Sequence, residues 1–164
     1  MTFEEFVSQQ GQSLLRLAFV LTGDRHLAED LTQTALAAAF RQWTRVGAAR
    51  SPEAYVRRML VNAHLSWRRR RSSTERPSEL VDHAGAWVAD PGEAIAAREQ
   101  MRALLDRLAP RARTVLVLRY YADLDDAAIA DLMGVDASSV RAAASRALAT
   151  LRHAAALDAV EETR

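Results

Sequence analysis

Between Ser51 and Arg71 the chain reads SPEAYVRRMLVNAHLSWRRRR, and Tyr55, Arg58, Asn62, Ser66 and Arg69 recur along it every three or four residues. At 3.6 residues per turn that spacing gathers them on one face of a helix. Guanidiniums on such a face can meet phosphates, the Asn62 amide can bond a base edge, and the Tyr55 ring can stack on a base. Unpaired nucleic acid is bound by this combination of groups. Four consecutive arginines, Arg68 to Arg71, close the segment. Cations also suit the C-terminus of any helix, so that run does not by itself decide for a polyanion.

A second constellation spans Asp126 to Val140, DAAIADLMGVDASSV. Its pattern is that of a helix-turn-helix. Two short helices that cross need a small residue where their backbones approach, and Ala130 fits. The turn needs a residue that tolerates positive φ, and Gly134 fits. Ile129, Met133, Val135 and Val140 supply the apolar base, and Asp136 is a natural N-cap for the second helix. That helix then exposes Ala137, Ser138, Arg141, Ala142 and Ser145, with Arg146 alongside. In a helix-turn-helix these positions meet base edges and phosphates in the major groove. Arginines there contact phosphate or guanine, and the Ser138 and Ser139 hydroxyls bond phosphate or base.

Other chemistry is poorly served. No nucleophile–base pair, carboxylate cluster or Gly-rich phosphate loop occurs, so the chain does not read as an enzyme. There is no cysteine, and His26, His64, His83 and His153 are scattered, so neither a metal nor any other cofactor is expected. The N-terminus shows no basic segment leading into an apolar run, and no stretch approaches a membrane span. The expectation is a cytoplasmic protein without membrane insertion.

The elements that must position these residues are all helical. Thr2 and Glu5 form a capping box for a first helix, with Phe3, Phe6, Val7, Leu14, Leu17, Ala18 and Leu21 at helical spacing, a possible bend at Gly11 and an end at Gly23. Asp24 caps a second helix through Trp43, with Leu27, Leu31, Leu36, Phe40 and Trp43 as its expected core positions. Arg45 to Arg50 reads as a loop. Ser51-Pro52-Glu53 starts a third helix, to about Arg70, whose Val56, Leu60, Ala63 and Trp67 should pack inward. From Ser72 to Gly92 periodicity is lost among serines, prolines, glycines and acids, as in a linker. A fourth helix follows with Ile95, Met101, Leu104, Leu105 and Leu108. Pro110 opens a fifth with Val115, Leu116, Leu118, Tyr120 and Tyr121. Short helices around Asp126–Met133 and Ala137–Arg152 complete an all-α chain of two small domains, residues 1–71 and 93–164, joined by the linker 72–92.

Charge supports this division. The net charge of the 164 residues is only +1, yet residues 1–71 hold eleven arginines against six acids, the connector 72–92 comes to −3, and the remainder to −1. A basic first half points to a polyanionic partner. Every basic residue is arginine, which a GC-rich genome largely explains. The helix-turn-helix domain is not basic overall, so its own affinity for DNA should be modest.

Four ordered segments carry a family resemblance: Asp24 to Gln33 (DRHLAEDLTQ) with the following Ala-Leu and Trp43, Tyr55 to Asn62 (YVRRMLVN), Leu108 to Tyr121 (LAPRARTVLVLRYY), and the helix-turn-helix. Together they resemble the second and fourth conserved regions of the sigma-70 family. Absence of the intervening third domain resembles the extracytoplasmic-function group, in its actinobacterial SigE-like branch. The resemblance covers nearly the whole chain apart from the linker and the last dozen residues.

This resemblance implies an alternative sigma factor that binds core RNA polymerase, directs it to promoters and assists melting. It implies that Glu29, Asp30, Gln33 and Arg41 dock on the polymerase clamp. The loop Arg45–Arg50 and the third helix would capture the non-template strand of the −10 element, with Arg50, Tyr55, Arg57, Arg58, Asn62, Ser66 and Arg69 as the binding set. Ser138, Ser139, Arg141, Ala142, Ser145 and Arg146 would read the −35 element. The acidic linker would thread the polymerase channel, and an anti-sigma protein would hold the factor in check. Many relatives carry a basic or amide side chain where this chain has Ala143, and Gly-Thr where it has Ser138-Ser139, so the family's −35 preference does not carry over. The alternative is a stand-alone helix-turn-helix regulator, which should expose an apolar dimer stripe; none is evident beyond the core faces.

Overall fold

The computed structural model describes residues 1–74 and 95–162, with side chains placed for 1–73 and 100–159. All regular structure among the described residues is helical. They fall into two compact units, one on either side of the undescribed stretch.

In the first unit, α1 (Phe3–Thr22) opens with the reciprocal Thr2–Glu5 box, each side chain bonding the other residue's backbone N–H. It runs unbroken through Gly11 and ends at Gly23, whose φ of 69° places it in the left-handed region. Asp24 caps α2 (Arg25–Arg41) by accepting from the Leu27 N–H at 3.0 Å. A short helix α3 (Trp43–Gly47) follows, and then α4 (Pro52–Thr74), whose first turn is capped by Ser51 Oγ accepting from the Ala54 N–H at 3.2 Å.

Helices α1, α2 and α4 pack on one another around Phe6, Leu14, Leu17, Leu60 and Val61, with Val56 and α3's Val46 completing the centre. Burial of each large side chain here contributes about 1.5–3 kcal/mol. Trp43 lies edge-on to Phe3 and tilted against Phe6, at ring distances of 5.3 and 5.2 Å. A methyl group on Gly47 would come within 3.3 Å of the same indole, so a larger residue there would make the Trp43 ring shift by a few tenths of an ångström.

Three expectations for this unit are corrected. The core face of α2 is made of Ala28, Leu31, Thr32, Ala35 and Ala39, whereas Leu27 and Leu36 are half-buried and Phe40 is 59% exposed. Small residues on this face let the helix axes approach, and the larger side chains are displaced to its margins. Residues 45–50 are not simply a loop. Arg45 to Gly47 are helical because buried Val46 and the neighbouring Trp43 fix the turn to the core. The third predicted helix, here α4, continues past Arg70 to Thr74 and buries Val61, His64 and Leu65, while Ala63 and Trp67 are only half-buried. Ser72 to Thr74 of the expected linker are therefore helical, and its remainder, residues 75–92, lies outside the described residues, as does any role for it in a polymerase channel.

The second unit comprises α5 (Ile95–Asp106), α6 (Pro110–Leu116) continuing as a π-helical turn Val117–Tyr121, α7 (Asp126–Met133) and α8 (Ala137–Glu162). Its core holds Leu108, an unbroken run from Thr114 to Leu118, Ala122, Ile129, Ala130, Val140, Ala144 and Ala147. Arg113 ties α6 to the end of α5, donating to the Leu105 carbonyl at 3.0 Å and to Asp106 at 2.5 Å. Arg107 pairs with Asp158 near the far end of α8 at 3.1 Å.

Met101, Tyr120 and Tyr121, named with the apolar residues of the fourth and fifth helices, are exposed. The π-helical turn explains the tyrosines. Its wider winding breaks the 3.6-residue period, Ala122 donates to the Val117 carbonyl five residues back, and the side chains after Leu118 rotate outward. The second helix of the helix-turn-helix extends beyond Arg152 to Glu162, and Ala154 is buried.

Candidate nucleic-acid interface

On α4, Arg58, Asn62 and Arg69 are exposed and Tyr55 and Ser66 are half-buried, all on the single stripe that their spacing requires. Tyr55 and Asn62 stand two turns apart, about 10 Å along the axis. The Arg45 guanidinium of α3 lies 6.0 Å from the centre of the Tyr55 ring. That cation–π contact joins α3 to the face and was not foreseen from sequence, because it depends on the unforeseen helical turn. Arg69 donates to Ser66 Oγ at 3.0 Å, so these two residues form one polar unit. Arg57 turns aside into an ion pair with Glu53 one turn earlier. Arg50 is exposed in the turn that leads into α4. Beyond the stripe, the Arg71 guanidinium sits 5.3 Å from the half-buried Trp67 ring, which itself stacks with buried His64.

On α2, Asp30, Gln33 and Arg41 are exposed along one stripe. Glu29 is set a quarter-turn aside, half-buried and paired with Arg25 at 3.0 Å. Beside the C-terminal end of this stripe, Phe40 packs on Phe3 with ring centres 5.0 Å apart.

The helix-turn-helix is built as its sequence demands. Asp125 caps α7 by accepting from the Ala128 N–H at 2.7 Å, and Gly134 terminates it with φ of 66°. Ile129, Ala130 and Val140 are buried where α7 and α8 cross, and Met133 and Val135 are half-buried at the edge. Asp136 caps α8. Its Oδ1 accepts from the Ser139 N–H at 2.7 Å and from the Ser138 hydroxyl at 2.5 Å. These bonds, led by that from Ser138, lower its pKa from 3.8 to about 2, so it remains a carboxylate at any working pH. Ser138, Arg141, Ser145 and Arg146 are exposed on the outer face of α8, Ala142 is half-buried between them, and Ser139 is half-buried on the capping side. Arg152 continues the exposed stripe. Sequence spacing could have included it, since it lies seven residues beyond Ser145.

The two faces coincide with two family matches. Residues 6–74 match the model for sigma-70 region 2, and residues 98–151 match that for sigma-70 region 4. The RNA polymerase sigma-E factor of Streptomyces avermitilis is 37% identical over 150 residues, covering 92% of this chain and 83% of that protein. The chain belongs to the sigma-70 family. The ECF RNA polymerase sigma factor SigG of Mycobacterium tuberculosis is 32% identical over 174 residues, which cover 88% of this chain and 47% of that protein. The backbone is also similar to that of the sigma factor RpoE solved in complex with the anti-sigma factor NepR from Bartonella quintana. That comparison gives a TM-score of 0.70 at 19% identity, over 92% of this chain and 94% of that one.

The sigma factor described here is thus of the extracytoplasmic-function group, in its SigE-like actinobacterial branch, and is an alternative sigma factor of transcription initiation. Sigma factors are non-enzymatic initiation factors. A stand-alone helix-turn-helix regulator accounts for the second unit only and leaves the region 2 match over residues 6–74 without a purpose. Among the described residues no helix is long and apolar enough to cross a membrane.

Proposed function

We propose that residues 1–71 form the polymerase- and −10-binding domain of this sigma factor, and residues 93–164 the −35-binding domain. The exposed stripe of Asp30, Gln33 and Arg41 docks on the clamp of core RNA polymerase, with Glu29 at its margin. Arg50, Tyr55, Arg58, Asn62, Ser66 and Arg69, with Arg57 alongside, hold the non-template strand of the −10 element. Ser138, Ser139, Arg141, Ala142, Ser145 and Arg146 meet the −35 element in the major groove. The factor itself catalyses no reaction, works in the cytoplasm, and is held by an anti-sigma protein between rounds of use.

The observation that carries this reading is the α4 stripe. It offers an aromatic ring, an amide and guanidiniums within two to four turns of one helix, on the outside of a domain whose core is otherwise complete. Duplex DNA keeps its ring faces stacked and cannot use the tyrosine; an unpaired strand can. The test is run-off transcription with core polymerase on genomic DNA. Discrete start sites that depend on this protein support the proposal. Binding to specific duplexes with no requirement for polymerase would transfer it to the stand-alone regulator.

A further inference from the structure

The end of α8 that enters a major groove in the proposed −35 complex is not basic. From Asp123 to Arg146 the chain carries five aspartates, at 123, 125, 126, 131 and 136, against the arginines at 141 and 146. Asp136 stands at the very entrance, exposed, and in a helix-turn-helix the first residues of the second helix approach the base edges. The Ser138 hydroxyl is turned onto Asp136 Oδ1, so its proton is committed inward and its oxygen can only accept from outside. Ala137 and Ala142 supply no polar group. At the entrance, before Arg141, the side chains of residues 136–138 therefore offer DNA only acceptors, and the Asp136 carboxylate is the charged one.

DNA offers few partners to such a surface. Phosphates repel the Asp136 carboxylate. Guanine presents O6 and N7 and thymine presents O4, which are acceptors too. Only the exocyclic amino groups of cytosine N4 and adenine N6 donate in the major groove. We infer that Asp136 is a specificity-determining residue of the upstream-element contact, selecting an amino-bearing base, cytosine or adenine, at one position and rejecting guanine and thymine there. The same carboxylate weakens contact with any duplex that lacks the amino group, because it is brought against a polyanion without compensation. This inference rests on the reading of α8 as the −35 helix.

The test uses holoenzyme assembled from core polymerase and the full chain, on a promoter library in which each upstream-element base pair is varied singly. Wild type, Asp136→Asn, Asp136→Ser and Arg141→Ala are compared, with thermal melting of each free protein. Asparagine and serine keep the cap and remove the charge. The expected result is a preference of about tenfold for cytosine or adenine at one position in wild type. Both Asp136 variants should lose it at that position alone, bind off-target duplex more tightly and melt as wild type does. Unchanged base preference at every position in both variants overturns the inference while leaving the −35 reading intact, provided wild type selects its element and Arg141→Ala weakens that selection. A uniform loss of binding that follows a lowered melting temperature also overturns it, by reducing Asp136 to a cap. If wild type selects no upstream base and Arg141→Ala changes nothing, the −35 reading fails and the inference falls with it.

Discussion

Glu53 holds the Arg57 guanidinium across one turn of α4, whereas Arg58 beside it is exposed and makes no ion pair among the described residues. Two adjacent arginines are thereby given different work. Arg58 is open to a phosphate, and Arg57 first stabilises the start of its own helix. Arg58→Ala should lower affinity for single-stranded −10 oligonucleotide and reduce the salt slope of log K by about 0.7, the share of one phosphate contact. Arg57→Ala should reduce the slope by less, because Glu53 already engages its guanidinium, and cost about 0.3–0.5 kcal/mol of stability. Titration of holoenzyme with labelled oligonucleotide at several salt concentrations separates the two; equal slopes for both variants would remove the distinction.

Asp30 and Gln33 stand exposed on a turn of α2 whose opposite side is alanine packed into the core. Charge reversal there should leave the fold untouched. Asp30→Arg is expected to weaken binding to core polymerase at least tenfold, about 1.4 kcal/mol, with wild-type melting. Glu29→Ala should do less, because Glu29 is already engaged with Arg25. Wild-type affinity of Asp30→Arg in a core titration would take this stripe out of the docking face.

At Gly134 a Cβ would meet nothing within 4 Å, yet φ is +66°. The whole penalty of Gly134→Ala is therefore backbone strain, about 1–2 kcal/mol. Gly134→Asn should lose less, since asparagine tolerates the left-handed region better. Urea unfolding followed by circular dichroism reads the difference, and equal midpoints for alanine and glycine would mean that the turn re-forms elsewhere.

Asp136 gives the second unit an acid-sensitive cap. Its folded pKa is held near 2, below the ordinary 3.8, chiefly by the Ser138 hydroxyl and the Ser139 N–H. A depressed carboxylate stabilises the fold fully above its unfolded pKa and loses that contribution as pH falls through the folded value. Wild type should thus exceed Asp136→Ala in urea midpoint by a constant margin above about pH 4, and the margin should vanish towards pH 2. A margin independent of pH would show that the bond pattern at the cap is different.

Apart from α3, which reads as a loop, the helices and caps were legible in the sequence because they are local. Thr2-x-x-Glu5, Asp24, Ser51-Pro52 and Asp136 each name the N–H they satisfy, and Gly23 and Gly134 mark their own φ. The exposed stripe of α4 was legible for the same reason, since a period of 3.6 fixes it once the helix is granted. What spacing could not supply was which face of α2 is buried. Large leucines suggested one face, but close packing of three helices selected the alanine face and left Phe40 outside. The π-helical turn at Val117–Tyr121 was hidden likewise, because one hydrogen-bond slip, set by the unit's packing, breaks the 3.6-residue period and turns two tyrosines to the surface. Partnerships between elements, Arg45 with Tyr55 and Arg107 with Asp158, depend on the assembled fold and leave no mark in spacing.

Promoter opening puts the α4 stripe to its most direct test. Tyr55 can stack a base while Arg45, against its ring, supports the aromatic from the side of α3. Asn62, two turns on, can bond the edge of an unpaired base, and Arg58 between them can hold its phosphate. Extracting bases from a duplex costs a few kcal/mol, which these contacts must offset. Asn62→Ala should therefore retain polymerase and upstream binding yet form fewer open complexes on duplex promoter, by roughly tenfold for one lost base contact. A promoter with a pre-melted bubble should restore most but not all of the signal, because the melting cost is already met while the lost base contact is not. Arg45→Ala should give a smaller defect of the same kind, since it acts only through Tyr55. Permanganate reactivity of unpaired thymines on both templates is the readout. Wild-type opening by Tyr55→Ala, Arg58→Ala and Asn62→Ala alike would sink the assignment of this face, and an equal defect on bubble and duplex would confine its role to binding after melting.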